Sequence, residues 1–143
     1  QKYRKSGITV LLSLLLMLVI GNITIKPLVA RIRPYEFMDS IKLLIEKPSD
    51  FSFPSGHTFS SFAAACSVFL YHKKIGLFFL ILAFLIAFSR LYLCVHFPSD
   101  VVCGGIFGVV IAYFSRYLLS GNLKLKKWFY LVNLQGCNCV TKR

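Results

Sequence analysis

The sequence lacks polar faces on its apolar segments. Over residues 8–25, 75–93 and 101–119 the only charged side chains are Arg90 and Arg116, and the apolar residues fall in blocks rather than at helical or alternating intervals. A soluble domain of this length would show amphipathic segments, so that class is excluded. Each block is long enough to cross a bilayer, which takes about 20 mainly apolar residues. A fourth block, residues 57–71, is shorter and is interrupted by Thr58, Ser60, Ser61 and Ser67; chain parity and the motif it carries make it a span. Also missing is a small-residue cleavage site after the first block, which runs directly into Lys26, so the basic start at Lys2, Arg4 and Lys5 fits a secretory signal peptide poorly. Internal repeats and low-complexity stretches are absent. The five cysteines are an odd number, which argues against a complete disulfide framework. Cys66, Cys94 and Cys103 read as small apolar groups in or beside spans, and Cys137 and Cys139 form a C-x-C with no histidine nearby, which is poor material for a metal site.

Acidic residues are scarce too: five Asp and Glu stand against 17 Lys and Arg, for a formal charge of +12. In a membrane chain such an excess reports topology before it reports nucleic acid, because basic residues favour the cytoplasmic side. Threading four spans puts Lys2, Arg4, Lys5, Lys73, Lys74, Arg116 and the tail's Lys124, Lys126, Lys127, Lys142 and Arg143 on one side. Lys26, Arg31, Arg33, Lys42, Lys47 and Arg90 fall on the other, together with all five acids, so the sides carry +11 and +1. The second side is expected to face out of the cell. The basic tail, residues 120–143, reads as a cytoplasmic anchor touching anionic headgroups, with Trp128, Phe129 and Tyr130 at the interface, and no nucleic-acid partner is expected.

The resulting layout is an all-α, multi-pass bundle in a single membrane-embedded domain over residues 1–143. Between the first two spans, Phe37, Met38, Ile41, Leu44 and Ile45 recur at intervals of three and four, which reads as a short amphipathic helix. His72, in the turn with Lys73 and Lys74, reads as a solvated residue.

Three separate segments reach the outward side. In the first, Lys26 and Arg33 are seven residues apart, almost two helical turns, so they share a helix face, and Pro34 is expected to end that helix at Arg33. Alone, the pair reads equally as two snorkelling cations. In the second, Pro54-Ser55-Gly56-His57 opens a helix whose unpaired N–H groups suit an anion. Gly56 allows close approach to the backbone, Ser55 offers a hydroxyl or a cap, and His57 can give a proton or sit among headgroups. In the third, Arg90 supplies a planar, permanently charged fork. His96 is the best nucleophile on this side, and Asp100 can hold one of its ring nitrogens or cap the last span.

The order of the three segments closely resembles the type 2 phosphatidic acid phosphatase superfamily, which shares its site with vanadium haloperoxidases. The family pattern K-x6-R-P, P-S-G-H and S-R-x5-H-x3-D is met by Lys26, Arg33 and Pro34, by Pro54 to His57, and by Ser89, Arg90, His96 and Asp100. The resemblance implies that Lys26, Arg33, Ser55, Gly56 and Arg90 bind phosphate, that His57 is the acid, that His96 is the nucleophile and that Asp100 is its partner. It implies a lipid phosphatase acting through a phosphohistidine, with fixed cations in place of a metal and no cofactor. The substrate expected is undecaprenyl diphosphate, with phosphatidylglycerophosphate and phosphatidic acid as alternatives; a haloperoxidase or a non-enzymatic lipid-binding protein is more remote. The family core implies six spans, so a missing pair is expected before the first one here, in keeping with a sequence that starts at Gln1.

Overall fold

In hydrocarbon a segment must satisfy its own backbone hydrogen bonds, and each long apolar block accordingly folds as a helix. A computed structural model describes residues 1–37 and 47–121, and among them there is no strand. Helix α1 (Lys2–Met17) runs through a π-helical stretch (Leu18–Ile25) into the short α2 (Lys26–Val29). A 3-10 turn (Pro34–Phe37), α3 (Gly56–Phe69), α4 (Lys73–Tyr92) and α5 (Pro98–Gly121) follow. Among the described residues, three stretches are long and apolar enough to span a membrane: Lys2–Phe37, Lys73–Tyr92 and Pro98–Ser120.

The fourth expected span is helical as α3 but differs in kind. Its 14 residues reach about 21 Å, against a hydrocarbon core of about 30 Å. It lies at the centre of the bundle, packed against α1, α4 and α5. Its polar residues, which weakened the apolar signal, serve that position: Ser67 Oγ lies 3.0 Å from Ser13 Oγ of α1, and Arg116 of α5 donates to the Leu70 carbonyl at the end of α3 (3.2 Å).

The helices are inverted relative to a soluble protein. On α1, Thr9 and Ser13 are fully buried while Leu11 and Leu15 are 69% and 57% exposed. That pattern is expected where lipid covers the outside and small or polar residues join helices. On α5 the inward face is Gly104, Gly108 and Ala112. A Cβ at Gly108 would lie 2.7 Å from the Phe59 carbonyl oxygen, and one at Gly104 2.9 Å from that of Ser55. The absence of side chains is what lets α5 approach α3 backbone to backbone. Phe62, Ala65, Ala83, Ala87 and Val101 fill the space among α3, α4 and α5.

Several expectations are corrected. The first helix stops at Val29, where Ala30 turns left-handed (φ 47°) and its N–H closes on the Lys26 carbonyl. Lys26 and Arg33 therefore do not share a helix face. Helix α5 starts at Pro98, ahead of the apolar block, because Asp100 in its first turn accepts the Phe97 N–H (2.9 Å). His72 is not a freely solvated turn residue: it stacks on Tyr3 (4.3 Å between ring centroids), with Nε2 buried and without a hydrogen-bond partner among the described residues. Cys66, Cys94 and Cys103 are free thiols, and Cys66 packs with Leu70 and Ala112. Most of the expected amphipathic helix, the basic tail, Cys137 and Cys139 lie outside the described residues.

Candidate active site

Four helix termini meet at one end of the bundle. The C-terminal ends of α2 and α4 carry Lys26 and Arg90, cations placed where the helix dipole favours them. The N-terminal ends of α3 and α5 arrive from the opposite direction. No side chain caps α3, so its first N–H groups remain available to an anion. Between the four ends lies a cavity of about 320 Å³ whose lining includes Lys26, Arg33, Gly56, His57, Arg90 and His96. Asn22, Asp50, Ser60, Met17, Pro48 and Val95 complete it.

Arg33 reaches this cavity from the extended segment after Ala30 rather than from a helix. It is held rigidly: Nε donates to the Asp50 carbonyl (2.9 Å), Nη1 to the Val95 carbonyl (2.8 Å) and Nη2 to Asp50 Oδ1 (2.5 Å). The other carboxylate oxygen of Asp50 takes a hydrogen bond from Lys26 Nζ. A carboxylate thus bridges two of the three cations. Burial pushes the Asp50 carboxyl up, but the hydrogen bonds and charges of Lys26 and Arg33 outweigh that and hold it below its ordinary value. Arg90 Nε and Nη2 each lie 3.2 Å from Ser89 Oγ. A Cβ at Gly56 would sit 3.5 Å from Lys26 Nζ, so the bare glycine leaves the α3 terminus directly beside that ammonium.

His96 sits in the turn between α4 and α5, where Cys94 takes a left-handed conformation (φ 53°). Its Nε2 is 3.4 Å from Arg33 Nη1. Nδ1 is 3.8 Å from Asp100 Oδ2, beyond hydrogen-bond reach. Ser52 Oγ stands beside both, 3.4 Å from Nδ1 and hydrogen-bonded to Asp100 Oδ2. Burial, then the nearby Arg33 charge, lowers the imidazole pKa from 6.5 to about 4, against the opposing pull of a hydrogen bond to the Ser52 backbone and of the Asp100 charge. The ring is neutral at pH 7 and keeps a lone pair on one nitrogen. Asp100 is fully buried, and Arg31 donates to its Oδ1 (2.7 Å).

Six of the eight residues singled out from sequence line the cavity, and two lie behind it. Ser55 is fully buried, with Oγ 3.0 Å from Thr58 Oγ1, so it neither lines the cavity nor caps α3 through its side chain. Asp100 reaches His96 only past Ser52. Sequence reasoning missed Arg31, Asp50, Ser52 and Asn22. In a chain with five acids, one placed four residues before Pro54 was a signal available for Asp50.

The model of the family described as PAP2 superfamily matches residues 7–124. An undecaprenyl-diphosphatase of Sulfolobus acidocaldarius is 35% identical over 121 residues, covering 84% of this chain and 58% of that protein. The crystal structure of Aquifex aeolicus LpxE superposes with a TM-score of 0.68 at 31% identity, over 78% of this chain and 67% of that one. That of a PAP2 type phosphatidylglycerolphosphate phosphatase from Bacillus subtilis does so with a TM-score of 0.65 at 25% identity, over 82% and 61%. The chain spans about half the length of the curated relatives it matches.

Proposed function

From the premise that this chain belongs to the PAP2 superfamily, we propose that it is the catalytic part of an integral-membrane phosphatase that hydrolyses a lipid phosphate through a phosphohistidine on His96. The observation that carries this reading is the cavity itself. Three segments far apart in sequence bring Lys26, Arg33, Arg90, Gly56, His57 and His96 to one polar cavity at the end of an apolar bundle.

The reaction has two steps. His96 Nε2 attacks phosphorus in line, the bond to the lipid oxygen breaks, and His57 gives its proton to the departing group. Lys26, Arg33, Arg90 and the α3 N–H groups neutralise the equatorial oxygens, and Asp50 cedes its place on Lys26 and Arg33 to the phosphate. Water then attacks the phosphorus of phosphohistidine as His57 takes its proton, releasing inorganic phosphate and neutral His96.

The substrate is a lipid because the cavity lies at one end of a bundle whose long helices are apolar enough to span a membrane, so that the phosphate can enter while its chain stays in the bilayer. Undecaprenyl diphosphate is the preferred substrate, supported by the name of the Sulfolobus relative. Phosphatidylglycerophosphate is the next reading, supported by the name of the Bacillus subtilis structure. The site faces outward across the cell membrane, as the charge split favours. The test is phosphate release from a panel of lipid phosphates by the full-length protein in detergent. Activity should survive chelators and be blocked by vanadate, and an absolute need for magnesium would refute the mechanism.

A further inference from the structure

We infer that Ser52 is a positioning residue of this site: its hydroxyl is the link through which Asp100 orients His96. The inference rests on the reading of His96 as nucleophile. Its ground is an interruption in the geometry. The direct separation from His96 Nδ1 to Asp100 Oδ2 is 3.8 Å, whereas Ser52 Oγ is bonded to that carboxylate oxygen and lies 3.4 Å from Nδ1.

The remaining bonds of Asp100 fix what it can do. Oδ1 accepts from Arg31 Nη1 (2.7 Å), and Oδ2 accepts from the Phe97 N–H (2.9 Å) as well as from Ser52. Arg31 is held in turn by Ser99 Oγ (2.7 Å) and lies over the Phe97 ring (4.1 Å). The carboxylate is immobilised on three donors, none of them His96.

A hydroxyl has one proton to give. Ser52 gives it to Asp100, so toward His96 its oxygen can only accept. That leaves Nδ1 as the protonated nitrogen and Nε2, on the Arg33 side, as the one with the lone pair. Ser52 is itself placed by its backbone N–H, which donates to the Arg31 carbonyl (2.8 Å), and its side chain is fully buried. The segment carrying the phosphate-binding cation Arg33 therefore also sets the position of the hydroxyl. As phosphohistidine forms, positive charge grows on the imidazole, and the Ser52 oxygen and the carboxylate behind it stabilise the Nδ1 proton.

The test uses the full-length protein in detergent, a lipid phosphate substrate, and vanadate inhibition as a measure of the intact cation cradle. Ser52→Ala should lower kcat about tenfold, the worth of one hydrogen bond in the transition state, with KM and vanadate inhibition within about twofold of the parent chain. Ser52→Thr keeps the hydroxyl and should recover most of kcat. Joined to Asp100→Asn, Ser52→Ala should add little further loss, because both act through one link. Unchanged kcat in Ser52→Ala, losses that multiply in the double variant, or vanadate inhibition lost together with kcat would each overturn the proposal. If Ser52→Ala does not fold, Ser52→Cys keeps the side-chain shape at a slightly larger size and offers only a weak donor; it should show the same kcat loss, and unchanged kcat there overturns the proposal equally. Labelled phosphoenzyme trapped from His96→Ala would instead refute the nucleophile assignment on which the inference rests.

Discussion

At the residue scale, the roles proposed for the two histidines can be separated by substitution. His96→Ala should abolish phosphoenzyme formation, since the nitrogen beside it, Arg33 Nη1 at 3.4 Å, belongs to a guanidinium and has no lone pair to attack with. His57→Ala should slow release of a lipid alcohol by about 10²- to 10⁴-fold, the usual worth of general acid help. It should spare the first step for an aryl phosphate, whose leaving group needs no proton. Trapping labelled enzyme with both substrates checks the pair, and the reverse pattern would exchange the roles. Asp50 gives a prediction of opposite sign. Its carboxylate already occupies Lys26 and Arg33, so Asp50→Asn should lower KM and tighten vanadate inhibition by several-fold, read from steady-state kinetics. His96 sets the acid limb of the pH dependence. With its pKa lowered from 6.5 to about 4, the nucleophile stays neutral through the physiological range, and the acid limb of kcat/KM due to it should fall near 4 rather than 6.5. The stability linked to the depressed pKa is full above 6.5 and is lost as pH falls toward 4, because the unfolded chain takes up the proton first. Six of the cavity-lining positions were legible because a spaced motif names those residues directly. Arg31, Asp50 and Ser52 were not, because their partners are chosen by how the segment before Pro54 folds back over the helix ends.

At the scale of elements, long apolar runs announced the three long helices, while the place where the first one stops was hidden. Pro34 suggested an end at Arg33, but the chain leaves the helix at Ala30, a left-handed alanine. Alanine carries no local signal for that turn, since it is the best helix former. The consequence is functional, because only an early stop frees Arg33 to reach Asp50 and Val95. The role of α3 was obscured by the same logic. Its serines and threonines weaken an apolar score, yet they suit a helix enclosed by other helices. The glycines of α5 make this testable. Gly108→Leu would force atoms into the Phe59 carbonyl and the Phe62 Cβ, which lie 2.7 and 2.8 Å from where its Cβ must go. It should destabilise the folded protein by about 1–3 kcal/mol or more, as overpacking does. Gly7→Ala, with nothing within 4 Å, should change stability little. Thermal unfolding of both variants in the same detergent gives the comparison.

At the scale of the whole molecule, the fold fixes which groups share a face but not which side of the membrane that face looks toward. The cavity gathers the starts of α3 and α5 and the ends of α2 and α4, so Lys26, Arg33, His57, Arg90 and His96 must all lie on one side. Orientation rests on charge. With spans as threaded from sequence, the two sides carry +11 and +1, and short connections rich in Lys and Arg stay in the cytoplasm. Lys47 is exposed in the connection leading to the cavity, and Lys73 opens α4 at the opposite end. With the five native cysteines replaced by serine, Lys47→Cys should react with an impermeant thiol reagent on intact cells. Lys73→Cys should react only after the membrane is opened. If the pattern is inverted, the cavity faces the cytoplasmic leaflet, and the proposed outward orientation is overturned while the role proposed for His96 is left untouched.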